Sequence, residues 1–359
     1  MIQKTKPFFD DNELRLVDEV LKSGWVTRGE QVTELERLVC EYTGAKYALA
    51  TTSATTALHL QLLALGIGKG DEVIIPAFTW VATANVVEMV GAKPVFCDIE
   101  LNTYNIDTDL IEDLITDKTK AIMPVHLFGL SADMDKVMKL ARKYKLKVIE
   151  DAACSLGTFY KGKHTGTIGD CGSFSLHPAK TITTGEGGVI VTNSKKLYDK
   201  MFKLHDHGTP TYDVLAYNYR LSDIQGAVGV GQMMKLKYIL KERKKRAEAY
   251  NKAFGRDVIP FVPEYSNHTY QSYIALVPDR DKISKKLEEK GIIAKRGTLY
   301  VPMLRYYRDK YDYYDDEYPN AKMADKHTLT LPLYVEMTDT DQLKVIKELH
   351  NELQQPDKT

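Results

Sequence analysis

Lys180 stands in Ser173-Phe-Ser-Leu-His-Pro-Ala-Lys-Thr-Ile-Thr-Thr-Gly-Glu-Gly-Gly188, downstream of Val148-Ile-Glu-Asp-Ala-Ala153. An apolar run ending in an acid, then a lysine in a short polar loop, can hold an aldehyde cofactor as a Schiff base. The candidate is pyridoxal 5′-phosphate (PLP), with Lys180 as covalent anchor and Asp151 as partner of the pyridine nitrogen. A carboxylate there keeps the nitrogen protonated, and the ring then stabilises the charge left when a substrate carbon loses its proton. A lysine bonds an aldehyde only as the neutral amine, and its unperturbed pKa is about 10.4. The site must therefore disfavour the free cation or keep the lysine bonded. Taken singly, Lys180 also reads as a surface lysine, and Asp151 as the N-cap of the Ala152-Ala153 turn. The surrounding pattern favours the cofactor roles.

Other residues suit the rest of such a cofactor. Thr51-Thr-Ser-Ala-Thr-Thr56 packs five hydroxyls into six residues, ahead of the helical Ala57-Leu-His-Leu-Gln-Leu62. Hydroxyls and helix N-terminal amides bind phosphate, although each hydroxyl alone also reads as an ordinary cap. Ser175 is a second phosphate candidate. Trp80 offers an aromatic plane for ring stacking, or else packs in the core. His126, at a strand end, and His177, beside the lysine loop, either touch substrate or cofactor or are held in packed hydrogen bonds; His59 reads as structural. Tyr306, Tyr307, Tyr311, Tyr313 and Tyr314 form either an exposed amphipathic segment or the wall of a polar-ring site.

These residues need a scaffold. Short β-branched runs are predicted as strands at Tyr47–Thr51, Glu72–Pro76, Pro94–Asp98, Ala121–Val125, Lys147–Asp151, Cys171–Ser175 and Gly188–Thr192. Several are near-continuously apolar, as strands buried on both faces are. Helical patterns at Thr55–Leu65, Trp80–Met89 and Met134–Lys143 lie between them. The alternation predicts an α/β fold, a mostly parallel sheet flanked by helices, with ligands at strand ends. After about Gln232 the texture changes. Lys235–Phe254 reads as a long linking helix, and the remainder as a smaller α+β unit with a strand at Tyr270–Val277 and helices at Lys282–Lys290 and Asp339–Glu352. The expected division is a cofactor-binding domain with N-terminal arm over 1–235 and a small domain over 236–359.

Composition narrows the classes. The 359 residues carry 49 basic and 49 acidic side chains, giving no global footprint for nucleic acid or an anionic membrane. No run of about 18 apolar residues exists and the first residues lack a secretion-signal pattern, so a cytoplasmic protein is expected. Cys40, Cys97, Cys154 and Cys171 form no Cys-x-x-Cys pair, so no metal site is expected. No Gly-x-Gly-x-x-Gly follows a predicted strand, which argues against a nicotinamide dehydrogenase.

In order and spacing, several blocks together resemble the DegT-type family of PLP-dependent sugar-nucleotide aminotransferases. They run from Ser23-Gly-Trp-Val-Thr-Arg-Gly29 through Ser53-Ala-Thr-Thr-Ala-Leu-His59, Gly66-Ile-Gly-Lys-Gly-Asp-Glu-Val73, Trp80-Val-Ala-Thr-Ala-Asn85 and Pro124-Val-His126. Glu150-Asp-Ala-Ala153, Phe174–Gly188 and Tyr217-Asn-Tyr-Arg-Leu-Ser-Asp-Ile-Gln225 complete the set. The resemblance implies a fold-type I PLP-transferase with a seven-stranded sheet, active as a homodimer with shared sites. Lys180 matches the family's Schiff-base lysine, Asp151 the pyridine partner and Trp80 the stacking aromatic. Ser53, Ala54, Thr55 and Ser175 fall on phosphate-binding positions, and Asn218 matches an asparagine lent by the neighbouring subunit.

On the same loop, Arg220 is expected to clamp a donor carboxylate or nucleotide phosphate, or to form a surface ion pair. Trp25 lies in a loop that would shape the sugar site. Two positions depart from the family pattern. Ala54 stands where glycine is frequent, and Cys154 where glutamine or histidine often faces the cofactor's phenolic oxygen; Cys154 reads equally as a buried structural thiol.

The activity implied is transamination of a nucleotide-linked keto sugar, with a C4-keto-6-deoxy sugar the best match of the 182–188 loop and L-glutamate the expected donor. The cofactor would cycle through pyridoxamine phosphate. A cyclitol-ketone transaminase, a PLP-dependent sugar dehydratase and a non-catalytic regulatory protein on this fold are the alternatives. Relatives with histidine in place of the lysine deoxygenate sugars, and Lys180 argues for amino transfer.

Overall fold

A computed structural model describes residues 1–354. Its centre is a seven-stranded sheet of β1 (Tyr47–Thr51), β2 (Glu72–Pro76), β3 (Lys93–Cys97), β4 (Thr119–Ile122), β5 (Lys147–Asp151), β6 (Cys171–Ser175) and β7 (Gly188–Thr192). The strand order is β1-β7-β6-β5-β4-β2-β3. Strands β6, β5, β4, β2 and β3 pair in parallel, while β7 runs antiparallel between β1 and β6. Val73, Ile74, Ile75, Ile149, Val189 and Val191 are fully buried, which is why these runs show no polar alternation. The mostly parallel α/β architecture is the expected one.

Helices α1 (Asp11–Ser23), α2 (Glu30–Thr43), α3 (Ala54–Leu65), α4 (Ala82–Met89), α5 (Met134–Tyr144), α6 (Lys195–His205) and α7 (Asp223–Met234) accompany the sheet. Helix α8 (Leu236–Ala253) then leads to a three-stranded antiparallel sheet of β8 (Tyr273–Leu276), β9 (Lys295–Arg296) and β10 (Thr328–Leu331), ordered β8-β10-β9. Helices α9 (Arg280–Glu289), α10 (Arg305–Tyr311), α11 (Pro319–His327) and α12 (Asp339–Gln354) complete the chain. Tyr250, Tyr273, Leu287, Leu331 and Val345 share a core there, and Ile2 joins it. The first residues thus pack on the C-terminal part: Ile2 N–H donates to Gly291 O at 2.7 Å, and Ile293 N–H to Ile2 O at 2.9 Å.

Several boundaries differ from expectation for physical reasons. Strand β4 stops at Ile122 because Pro124 has no N–H to give, although Met123 N–H still donates to Ile74 O. Strand β3 ends before Asp98, whose carboxylate instead accepts the first amides of α11, from Asn320 at 3.0 Å and Ala321 at 2.8 Å. Trp80 does not open a helix: Phe78–Thr79 pair with Leu299–Tyr300, and α4 begins at Ala82. The tyrosine cluster divides: Tyr306 and Tyr311 line a surface cleft with Glu88, Lys93 and Lys310. Tyr307 and Tyr313 pack edge-on against Phe96 of β3, while Tyr306 and Tyr314 remain exposed.

Candidate active site

Sheet register assembles the site. Thr51 lies opposite Gly188, Gly188 opposite Ser175, and Ser173 opposite Asp151 on the neighbouring strand. The carboxyl edge of the parallel strands therefore collects Thr51, Gly188, Ser175 and Asp151. The loops leaving that edge carry Ser53, Cys154 and Lys180.

Asp151 is 5 % exposed. Its Oδ2 accepts from Thr83 Oγ1 at 2.8 Å and its Oδ1 from Ala153 N–H at 3.2 Å. Burial pushes its carboxyl pKa up, against the pull of these two bonds and of the charges of Lys180 and His126. A net rise means that the folded chain undersupplies this carboxylate with stabilising partners, so a protonated ring nitrogen would be bound well there.

The Lys180 loop turns back at once, its N–H donating to His177 O at 2.9 Å. The half-buried side chain brings Nζ to 3.1 Å from Cys154 Sγ. Cys154 sits in the turn that Asp151 opens, so the lysine reaches that turn and its charge is felt at Asp151. Gln271 steadies the loop from outside, its Nε2 donating to Ala179 O at 2.6 Å.

Ser53 is the N-cap of α3. Its Oγ accepts from Thr56 N–H at 3.1 Å, and Thr56 Oγ1 accepts from Ser53 N–H at 3.1 Å. These hydroxyls are committed to the cap. The anion-binding capacity lies in the first-turn amides of Ala54 and Thr55, which helix geometry leaves without intrahelical acceptors. Gly188 makes room for this helix end: a Cβ there would lie 2.4 Å from Ser53 C and 2.5 Å from Ala54 N. Ser175 is buried, and its Oγ accepts from His177 N–H at 3.3 Å. Trp80, 62 % exposed, shares one turn with Thr83, the residue that holds Asp151.

The remaining candidates separate. His126 is 0 % exposed, with Nε2 2.9 Å from Glu150 Oε2 and Nδ1 accepting from Ala132 N–H at 3.2 Å. Both ring nitrogens are used inside the protein, so the expected contact with substrate is not available to it. Glu150 also takes the amides of Gly166, Ile168 and Gly169, which makes this pair a brace behind the site. His59 is buried against the Tyr219 hydroxyl at 3.2 Å, the structural place expected of it. His177 is exposed, its Nδ1 accepting from Ala179 N–H at 3.1 Å.

The 217–220 segment lies beside the end of β1, with Thr52 N–H donating to Tyr219 O at 3.0 Å. Within it Arg220 binds Asp206 Oδ1 at 2.6 Å and Asn218 Oδ1 at 3.2 Å, so its guanidinium already has a carboxylate. Trp25 is exposed, its Nε1 donating to Arg28 O at 3.1 Å.

Sequence reasoning missed Thr83, Lys4 and Arg243. Thr83 could have been found, because it lies one helical turn after Trp80. Lys4 is half-buried, and burial together with the charge of Lys180 lowers its pKa. Arg243 is 4 % exposed in α8 and donates only to carbonyls, those of Tyr270, Gln271 and Leu333. No local pattern marks either residue.

The sequence profile of the DegT/DnrJ/EryC1/StrS aminotransferase family matches residues 7–350. The uncharacterized protein MJ1066 of Methanocaldococcus jannaschii is 36% identical over 365 residues, 95% of each chain. Among solved structures, the putative sugar aminotransferase Spr1654 from Streptococcus pneumoniae, in its PMP form, superposes with a TM-score of 0.93 at 30% identity over 98% of both chains. Helicobacter pylori PseC, an aminotransferase involved in the biosynthesis of pseudoaminic acid, gives 0.91 at 28% identity over 98% of this chain and 99% of its own.

Proposed function

Because this chain belongs to the DegT/DnrJ/EryC1/StrS aminotransferase family, we propose that it transfers an amino group from L-glutamate to a nucleotide-linked keto sugar, at C4 of a 4-keto-6-deoxy sugar. It is a PLP-dependent aminotransferase, in common with relatives whose structures carry PLP and pyridoxamine phosphate. When bound, the cofactor supplies the aldehyde and electron-withdrawing ring that let an amino group pass between two carbons.

The residues present fit that group. Lys180 Nζ is the amine to hold the aldehyde, and Asp151 the acid to face the ring nitrogen. The α3 amides at Ala54 and Thr55, with Ser175, would form the phosphate end, and exposed Trp80 offers the stacking plane. Cys154 stands at Nζ. Free as a neutral amine, Lys180 Nζ would move the proton off the donor's α-carbon and, in the second half-reaction, put a proton on the sugar carbon. Thr83 and the Ala153 amide hold the Asp151 carboxylate in place, and a protonated ring nitrogen would offset the cost of its burial.

One observation carries the reading: Lys180 reaches the turn that begins at Asp151, and Asp151 registers its charge from a buried position. We read the chain as two units, 1–235 and 236–359, acting in the cytoplasm as a homodimer. Exposed Trp25, Tyr212 and Leu215 support association with a second copy, with Asn218 and Arg220 near the shared sites. His177 remains a candidate for the sugar; His126 does not.

The test is amino transfer by the purified holoenzyme from L-glutamate to UDP-, dTDP- and GDP-linked 4-keto-6-deoxy sugars, with a cyclitol ketone as control. Turnover with a nucleotide sugar is expected. Turnover with the cyclitol alone would overturn the proposal.

A further inference from the structure

Thr79 is fully buried, and its hydroxyl meets the hydroxyl of fully buried Thr83 at 3.1 Å. Thr83 in turn donates to Asp151 Oδ2 at 2.8 Å. Among the described residues neither hydroxyl has another partner. The position of each proton follows from this. An ionised carboxylate only accepts, and a hydroxyl carries a single proton. Thr83 gives its proton to Oδ2, so the proton between the two threonines belongs to Thr79.

Three separate elements keep this chain of hydroxyls in line. Asp151 ends β5, and Thr83 stands in the first turn of α4. Thr79 lies opposite Leu299 in the short strand pair, and the next residue but one on that partner strand, Val301, donates its N–H to Ala77 O at 2.9 Å. A segment from the C-terminal part thus sets where the Thr79 hydroxyl points. Were Oδ2 to carry a proton toward Thr83, the whole chain would have to reverse. The Thr79 proton would then face no acceptor, and a buried donor left unpaired is costly. Burial pushes the Asp151 carboxyl pKa up, and the Thr83 hydrogen bond is the foremost of the interactions that pull it back.

We propose that Thr79 is a positioning residue for the cofactor: acting through Thr83, it fixes Asp151 Oδ2 as an acceptor, so that the carboxylate stays ionised and the shared proton resides on the ring nitrogen. This rests on the reading of Asp151 as the partner of that nitrogen. Thr79 itself touches neither cofactor nor substrate. Its influence is confined to the ring nitrogen and does not extend to the phosphate or the aldehyde.

The experiment compares wild type with Thr79→Val, Thr79→Ser, Thr83→Val and Asp151→Asn, with melting temperature as a folding control. Affinity is measured for PLP and for its deaza analogue, which carries C–H in place of the ring nitrogen. In Thr83→Val the preference for PLP over the analogue is expected to fall about 10- to 100-fold, the range for a hydrogen bond to a charged group. In Thr79→Val it should fall about 3- to 10-fold, as for one neutral hydrogen bond, and Thr79→Ser should restore it to within about twofold. Nitrogen NMR of ring-labelled PLP should move toward the neutral pyridine in Thr79→Val. An unchanged preference and unchanged ring signal in Thr79→Val, or an equal loss of affinity for PLP and analogue, would overturn the proposal. Thr79→Val decides alone if Thr83→Val does not fold, because it leaves the Asp151 contact in place. A wild-type preference in Asp151→Asn would instead remove Asp151 from the ring nitrogen, and the proposal would fall with that reading.

Discussion

Lys180 Nζ lies 3.1 Å from Cys154 Sγ, so the side chain nearest the reactive nitrogen is a thiol. A thiol is a weak donor and acceptor, so Lys180 is positioned mainly by its loop, through the His177 carbonyl and the Gln271 grip on Ala179. Cys154→Ala should therefore lower kcat by less than about 10-fold, the effect of losing one modest hydrogen bond. Steady-state kinetics at saturating L-glutamate check this; a far larger fall would make the thiol a working part of the reaction.

Asp151→Asn should separate stability from activity. In the chain without cofactor, burial raises the Asp151 pKa above the ordinary 3.8. A carboxyl raised on folding contributes stability at low pH and loses it as pH climbs through the folded value. The neutral amide avoids that loss. The cofactor-free variant should match wild type near pH 3 and become the more stable of the two as pH rises to 7, by paired thermal melts. Its amino transfer should fall about 100-fold or more, since the ring nitrogen loses its anionic partner.

Gly188→Ala tests the helix end. The new methyl would meet Ser53 C at 2.4 Å and Ala54 N at 2.5 Å, both backbone, so α3 or β7 must shift. Overpacking of this kind costs about 1–3 kcal/mol. The displaced amides should also weaken phosphate binding, read as a rise of about 10-fold or more in the Kd for PLP. A variant with lower stability but native PLP affinity would place the phosphate elsewhere.

Arg243→Met should strand the carbonyls of Tyr270, Gln271 and Leu333 in a buried place. Each unsatisfied buried acceptor costs about 1–3 kcal/mol, so a total above about 3 kcal/mol is expected from urea unfolding. Buried among carbonyls with no carboxylate, the guanidinium itself titrates low for its kind, pushed down to about 10 by burial.

Strands β1, β2, β5, β6 and β7 could be read residue for residue; in β2 and β7 burial on both faces writes a near-continuous apolar run. The lysine loop was readable because its chemistry is local. What escaped depends on distant pairing. The helix expected at Trp80 starts late because Phe78–Thr79 are claimed by Leu299–Tyr300. His126 reads as a strand-end residue, yet Glu150 and the Ala132 amide seal it in. Arg243 matters through carbonyls 27 to 90 residues away, and a basic helix carries no local mark of that.

The account turns on which nitrogen bonds the cofactor. Borohydride reduction of the holoenzyme fixes pyridoxyl phosphate to that amine, and peptide mass mapping locates it. The label is predicted on Lys180 alone. Label on Lys4 or any other lysine, or none at all, would contradict the assignment.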